Sequence, residues 1–328
     1  MSRRLTIIAI AAAFVFSRAE GSALSPRPER LAAPVKLTIV VLKVAHLTPL
    51  LYVPELLKSM NVDVEVVEFV RYADARTALA TGAVDLAAIG PADLPIALSQ
   101  GIDTMVALMG VGSSRKYVVA RNGVELKQWR DLCGKKVGIA PGSAVWFQFA
   151  ATLQEFGVPY NCLTAVNIQG AGNNFDVALK RGDVDAIITW EPFESTPVIE
   201  GYGYWAKNLD YSQSKAVGSE LGMITVNRAA LVKKREAVRR FVWAYAKAQQ
   251  ELAASKEKFA EAVHKFTGIS PQIAERIANA ITLGAVLSLE QLKRQASIFY
   301  KLGVIRKDVS GQLDKYFDSE LVRSVVGG

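Results

Sequence analysis

Thr77-Ala-Leu-Ala-Thr-Gly-Ala-Val-Asp-Leu-Ala-Ala-Ile-Gly90 returns one hundred residues later as Val177-Ala-Leu-Lys-Arg-Gly-Asp-Val-Asp-Ala-Ile-Ile-Thr-Trp190. Each copy closes a helical pattern on a glycine suited to a left-handed cap, turns through Val-Asp and enters a buried strand. Around the first copy the pattern predicts strands at 37–42, 62–70, 84–89, 105–111 and 117–120, and helices at 49–60, 73–81 and 92–100. The near-continuous apolar run at 37–42 is what a strand buried on both faces requires. Around the second copy it predicts a short helix at 124–132, strands at 137–140, 165–168 and 184–189, and helices at 144–156 and 175–181. This rhythm is that of doubly wound sheets. From Arg228 onward only helices are expected, at 235–255, 258–266, 271–281, 289–302 and 310–326. The fold class is α/β: two lobes, each a doubly wound sheet, with a helical C-terminal tail. The expected division is lobe 1 over 35–120, lobe 2 over 121–221, and 222–328 as a return to lobe 1 plus the tail. Crossing strands near 117–121 and 223–226 join the lobes across a cleft.

Composition narrows the classes. The chain has 328 residues, 51% of them hydrophobic, with two cysteines. That excludes a disordered chain and a small disulfide scaffold, and favours two lobes. The net charge of +8 is local. Residues 228–328 hold 18 basic and 10 acidic side chains, and residues 1–227 hold 21 of each. Runs such as Lys233-Lys234-Arg235 and Arg239-Arg240 read as the solvated face of amphipathic helices, and no nucleic-acid partner is expected.

Arg3 and Arg4 precede a twelve-residue apolar run ending at Phe16, followed by small residues at Ser17-Arg-Ala19 and Gly21-Ser-Ala23. This pattern predicts a cleaved secretory signal within residues 1–23. Twelve residues of helix span about 18 Å, short of a roughly 30 Å hydrocarbon core. Residues 24–34, with three prolines, read as a flexible leader. Cys133 lies four residues before the apolar run at 137–140 and Cys162 four before Val166, at one level below two adjacent parallel strands of a βαβ unit. In an oxidising compartment they are either bonded or two free thiols, and the sequence leaves both open.

Three phrases in order resemble one family. Gly82-Ala-Val-Asp85 with Gly90-Pro-Ala-Asp93 and Ala97-Leu-Ser-Gln-Gly101 is the first, and Asp131-Leu-Cys-Gly-Lys-Lys-Val-Gly-Ile-Ala-Pro-Gly-Ser143 the second. Leu179-Lys-Arg-Gly-Asp-Val-Asp-Ala186 followed by Trp190-Glu-Pro-Phe193 is the third. Together they are similar to the periplasmic solute-binding proteins of nitrate/sulfonate/taurine-type ABC transporters, over roughly residues 35–242. The resemblance implies a periplasmic-binding-protein-like fold that captures a small polar organic solute and delivers it to a membrane permease with its ATPase. It implies a monomer located in the periplasm, with no cofactor and no metal. Some relatives handle thiamine pyrimidine precursors, and some act in cofactor synthesis. No Ser/His/Asp order, metal-ligand spacing or phosphate-loop lysine accompanies the resemblance, so a non-enzyme is expected.

In open α/β sheets ligands sit beyond the C-terminal strand ends. The first such loop holds His46 and Thr48; His46 is either a donor to an anion or a structural histidine. Pro91, Ala92 and Asp93 follow the first repeat, where helix-start N–H groups suit an anion. Asp93 either faces the ligand or steadies that helix. Ser113 ends another strand, where ordinary turn chemistry serves equally well. Gly142, Ser143 and Ala144 form the strongest local site, a glycine turn and a Ser-capped helix start. Asn173 follows the next strand, in a loop that matches the family less well. Trp190 can stack on a ligand and Glu191 accept from an amine, or the two can pack and brace a hinge. Glu220 precedes the returning strand. Asp93, Glu191 and Glu220 near one cleft would repel a purely anionic solute such as nitrate. The mixture suits an aminosulfonate such as taurine, or alternatively a neutral heteroaromatic amine such as a thiamine pyrimidine precursor.

Overall fold

The computed structural model describes residues 24–326, so the export signal expected within 1–23 lies outside the described residues. Ten strands follow in order: β1 (Val35–Val41), β2 (Val62–Glu68), β3 (Leu86–Ile89), β4 (Met105–Gly110), β5 (Tyr117–Arg121), β6 (Lys136–Ile139), β7 (Thr164–Asn167), β8 (Ala186–Ile187), β9 (Gly203–Asp210) and β10 (Met223–Asn227). They form two five-stranded sheets, ordered β2-β1-β3-β10-β4 and β7-β6-β8-β5-β9. The two orders are one plan. In each, three parallel strands are followed by an antiparallel strand that arrives from the other half of the chain.

The quoted repeat lies at the centre of each lobe. Gly82 and Gly182 cap their helices with φ of 75° and 77°. The Asp85 carboxylate accepts the Thr38 amide at 2.8 Å, and Asp185 accepts the Lys136 amide at 2.9 Å. Each aspartate thus ties the start of the central strand to its parallel neighbour. Leu79 and Leu86 bury into one core, Leu179 and Ile187 into the other.

Several expectations are corrected. Residues 117–120, expected at the end of lobe 1, belong to β5, which pairs with β8 and β9 of the second sheet. The edge strand β9 was not foreseen, because Gly203-Tyr-Trp-Ala-Lys-Asn-Leu-Asp210 alternates weakly. Only Trp129–Leu132 of the 124–132 helix forms, as a 3-10 turn, and the last helix splits into Ser310–Tyr316 and Ser319–Val326. Residues 24–34 are pinned rather than free: Trp243 Nε1 donates to Ser25 O at 2.9 Å, and Arg240 Nη2 to Glu29 O at 2.8 Å. Nor is the basic run a solvated face throughout. Arg240 is buried, Lys234 pairs with Asp85 at 2.7 Å, and Arg235 pairs with Asp318 at 2.8 Å. Lys234 fastens the tail to the first lobe, Arg235 ties two segments of the tail together, and Arg240 holds the leader. Cys133 and Cys162 form a disulfide with Cα atoms 4.7 Å apart, joining the approaches to β6 and β7.

Candidate functional site

Two strand ends meet across the cleft. After β3 the chain turns at Gly90-Pro91 into the Asp93–Ser99 helix. After β6 it turns at Gly142, with φ of 79°, and Ser143 Oγ accepts the Trp146 amide at 3.1 Å to start the Ala144–Glu155 helix. A Cβ placed on Gly90 would sit 2.4 Å from Ala144 Cβ, so the lobes touch here. Beside this contact is a narrow cavity of about 50 Å³. Its walls come from both lobes: Leu42, Val44, His46 and Val70 to Tyr72 on one side, Ser143 to Val145, Gln148 and Thr189 to Glu191 on the other. Lys116, Glu194, Tyr211 and Leu221 close it towards the crossovers.

Burial sets the electrostatics. His46 Nε2 lies 2.5 Å from the Tyr72 hydroxyl, and burial, then the charge of Lys116, lowers its imidazole to about 3. His46 is therefore neutral, and its Nδ1 has no partner. Burial lowers the Lys116 ammonium to about 8 against the pull of Glu220, Glu194 and Asp210. Burial raises the Glu191 carboxyl to about 7 despite two bonds from Ser195, and raises Glu194 well above the carboxylate range. Gln148 Nε2 and Thr189 Oγ1 are buried and unpartnered. Three cavity-lining side chains thus hold polar atoms that nothing among the described residues satisfies.

Six of the expected residues line the cavity: His46, Pro91, Ser143, Ala144, Trp190 and Glu191. The others serve the scaffold. Thr48 Oγ1 donates to Ala45 O at 2.7 Å, inside a 3-10 turn. Asp93 pairs with Arg76 at 2.5 Å and accepts the Gly90 amide at 2.8 Å, holding the turn from behind. Ala92 packs in the core, and Gly142 supplies the turn. Ser113 pairs with Glu220 and Thr282 where the lobes join. Asn173 is exposed at the start of its helix, away from the cavity walls. Glu220 presents its backbone carbonyl to Lys116. Even Glu191 has both carboxylate oxygens engaged by Ser195, at 3.0 and 2.6 Å. The expected repulsion of anions is therefore corrected. Asp93 is neutralised by Arg76 behind the turn and Glu191 is held by Ser195, while two cationic side chains reach the cavity wall, Arg71, which pairs with Asp74, and the buried Lys116.

Sequence reading missed Arg71, Tyr72, Lys116, Gln148, Thr189, Glu194 and Tyr211 as lining residues. Gln148 had a signal, being four residues after Ala144 on one helix face. Thr189 did too, as the residue before Trp190 in the repeat. Lys116 had none.

These features define a two-lobed α/β binding fold with its cavity at the strand ends between the lobes. The chain belongs to the NMT1/THI5-like family, whose model matches residues 56–258. The taurine-binding periplasmic protein of Escherichia coli (strain K12) is 29% identical over 117 residues, 35% of this chain and 35% of that protein. The chain thus aligns with about a third of that relative's length. The alkanesulfonate-binding protein SsuA from Xanthomonas axonopodis pv. citri, solved with MOPS bound, shares the fold with a TM-score of 0.73 and 19% identity, over 88% of this chain and 99% of that one. The desulfurization enzyme DSZB shares it with a TM-score of 0.62 and 15% identity, over 88% and 98% of the two chains. The fold therefore carries an enzyme as well as binding proteins. Among the described residues, no helix is long and apolar enough to cross a membrane.

Proposed function

We propose that the chain is the solute-binding component of an ABC importer, working in the periplasm after its export signal is cleaved. It captures a small organic sulfonate in the interlobe cavity and delivers it, with the lobes closed, to a membrane permease with its ATPase. The observation that carries this reading is the enclosure by both lobes of His46 Nδ1, Gln148 Nε2 and Thr189 Oγ1, all buried and unpartnered. An unsatisfied buried polar atom costs about 1–3 kcal/mol, so a ligand rich in acceptor oxygens relieves several such costs at once. The amide-lined start of the Ala144–Glu155 helix favours negative charge at the same wall. Trp190, against Phe175 at 5.7 Å between ring centroids, presents an apolar surface for the solute's carbon part. A ligand bridging both walls shifts the population towards the closed form by its differential affinity for that form. The resemblance to a taurine-binding protein supports the sulfonate assignment.

Thermal shift against taurine, ethanesulfonate, MOPS, nitrate, bicarbonate and an aminopyrimidine tests this reading. A sulfonate at 100 times its Kd should stabilise the protein by about 2.7 kcal/mol. Folded protein that no sulfonate stabilises, or that an aminopyrimidine stabilises more than any sulfonate, would overturn it. Turnover of the bound compound would restore the enzyme alternative.

A further inference from the structure

The chain passes between the lobes twice, through residues 111–116 and 211–222, and the two crossovers are zipped together. Ser114 N donates to Ser219 O at 3.1 Å, Leu221 N to Gly112 O at 3.0 Å, and Ser113 exchanges bonds with Thr282 of the tail at 2.8 and 2.9 Å. Lys116, at the end of the first crossover, is 5% exposed and sends its ammonium to the second, donating to Gly218 O at 3.0 Å and Glu220 O at 2.7 Å. An ammonium has three donors, and these carbonyls take two. The same side chain lines the cavity. Lys116 makes no carboxylate ion pair among the described residues. Asp210 is held by Arg115 at 2.7 Å, and Glu194 accepts the Tyr117 amide at 2.7 Å. Buried charges in proteins are paired; the carboxylate acting most strongly on this one is Glu220, which makes no ion pair with it among the described residues, so the ammonium keeps a donor to spare in a side chain that lines the cavity.

We propose that Lys116 is the cation that recognises the solute's anionic group, and that its anchorage to both crossovers makes lobe closure depend on that charge. The proposal rests on the solute-binding reading above and names the residue that decides charge specificity. A bound anion completes the ammonium's third bond at the hinge itself. A neutral solute of the same shape leaves the ammonium buried and unpaired when the lobes close. The ionisable groups facing Lys116 are Glu220, Glu194 and Asp210 from the crossovers and lobe 2, and neutral His46 from lobe 1.

Calorimetric titration with ethanesulfonate and with neutral ethyl methyl sulfone tests it on wild type, Lys116→Met and Lys116→Arg. Wild type should prefer the sulfonate by roughly 10- to 100-fold, the range of one charge-assisted hydrogen bond. Lys116→Arg should keep most of that preference, and Lys116→Met should reduce it to about threefold or less. Binding of ethanesulfonate to wild type near pH 8.5 should also take up protons, read from titrations in buffers of different ionisation enthalpy, because the anion favours the charged form of an ammonium lowered to about 8. Lys116→Met should lose that uptake, which separates Lys116 from Glu191, raised to about 7 at the same cavity. A folded Lys116→Met that keeps the anion preference overturns the proposal and leaves the importer reading intact. If that variant does not fold, wild type binding ethanesulfonate without proton uptake overturns it. Wild type that binds neither taurine, MOPS nor ethanesulfonate removes the importer reading, and the role of Lys116 with it.

Discussion

Gly90→Ala is the perturbation that bears most directly on closure. Gly90 lies at the end of β3 in one lobe and Ala144 at the first turn of a helix in the other. The added methyl would sit 2.4 Å from Ala144 Cβ. Carbon atoms rest about 3.5–4.0 Å apart, so the lobes must separate there by roughly 1 Å. Gly90 is not among the positive-φ glycines, so alanine brings no backbone strain of that kind, and each lobe keeps its core. Overpacking of this size costs about 1–3 kcal/mol, and here it falls on the closed form. Affinity for a solute that needs closure should therefore drop roughly 5- to 150-fold, while the melting temperature without solute changes little. Calorimetry gives the affinity, and small-angle scattering gives the radius of gyration with and without taurine. The double variant Gly90→Ala/Ala144→Gly should recover much of the loss. Gly90→Ala with wild-type affinity and wild-type compaction would refute the reasoning.

The other expectations concern the cavity, the pH response and the disulfide. Gln148→Leu removes an unpartnered buried Nε2, so it should stabilise the solute-free protein by about 1 kcal/mol and weaken sulfonate binding about tenfold, read by urea unfolding and titration. His46 titrates near 6.5 when unfolded and at about 3 when folded, so between those values the unfolded chain binds the extra proton and stability falls as pH drops. His46→Gln should reduce the stability lost between about pH 7 and pH 4.5 by on the order of 2 kcal/mol; an unchanged pH dependence would show that burial does not depress this imidazole. Reducing the Cys133–Cys162 bond, which spans 29 residues, should cost about 3.5 kcal/mol on loop entropy and lower the melting temperature, compared with and without reductant. An equal melting temperature in both would mean that the bond contributes little.

Much of the scaffold was legible because it depends on short-range patterns. The cap glycines of the repeat follow from backbone sterics, and the Ser143 cap from hydrogen bonding three residues ahead. The level of the two cysteines follows from strand order. The candidate cavity was legible only where a strand end pointed to it, as at His46, Ser143 and Trp190. Asp93 misled because its partner, Arg76, lies 17 residues earlier on a different helix, and no local pattern announces that pairing. The leader misled because three prolines read as freedom, whereas its carbonyls are held by Arg240 and Trp243 more than 200 residues away.

By itself, then, the sequence determined two α/β lobes built on one repeated helix–glycine–strand unit, a helical tail and the strand ends at which a ligand belongs. These follow from hydrophobic period and the conformational freedom of single residues, which act within a few positions. Only the tertiary structure decided that β5 lies in the second sheet, that Arg76 and Ser195 hold the carboxylates of Asp93 and Glu191, and that Lys116 bonds to carbonyls 102 and 104 residues ahead. The partners of a buried charge are chosen by which segments burial brings together, and that choice exists only once both lobes have folded.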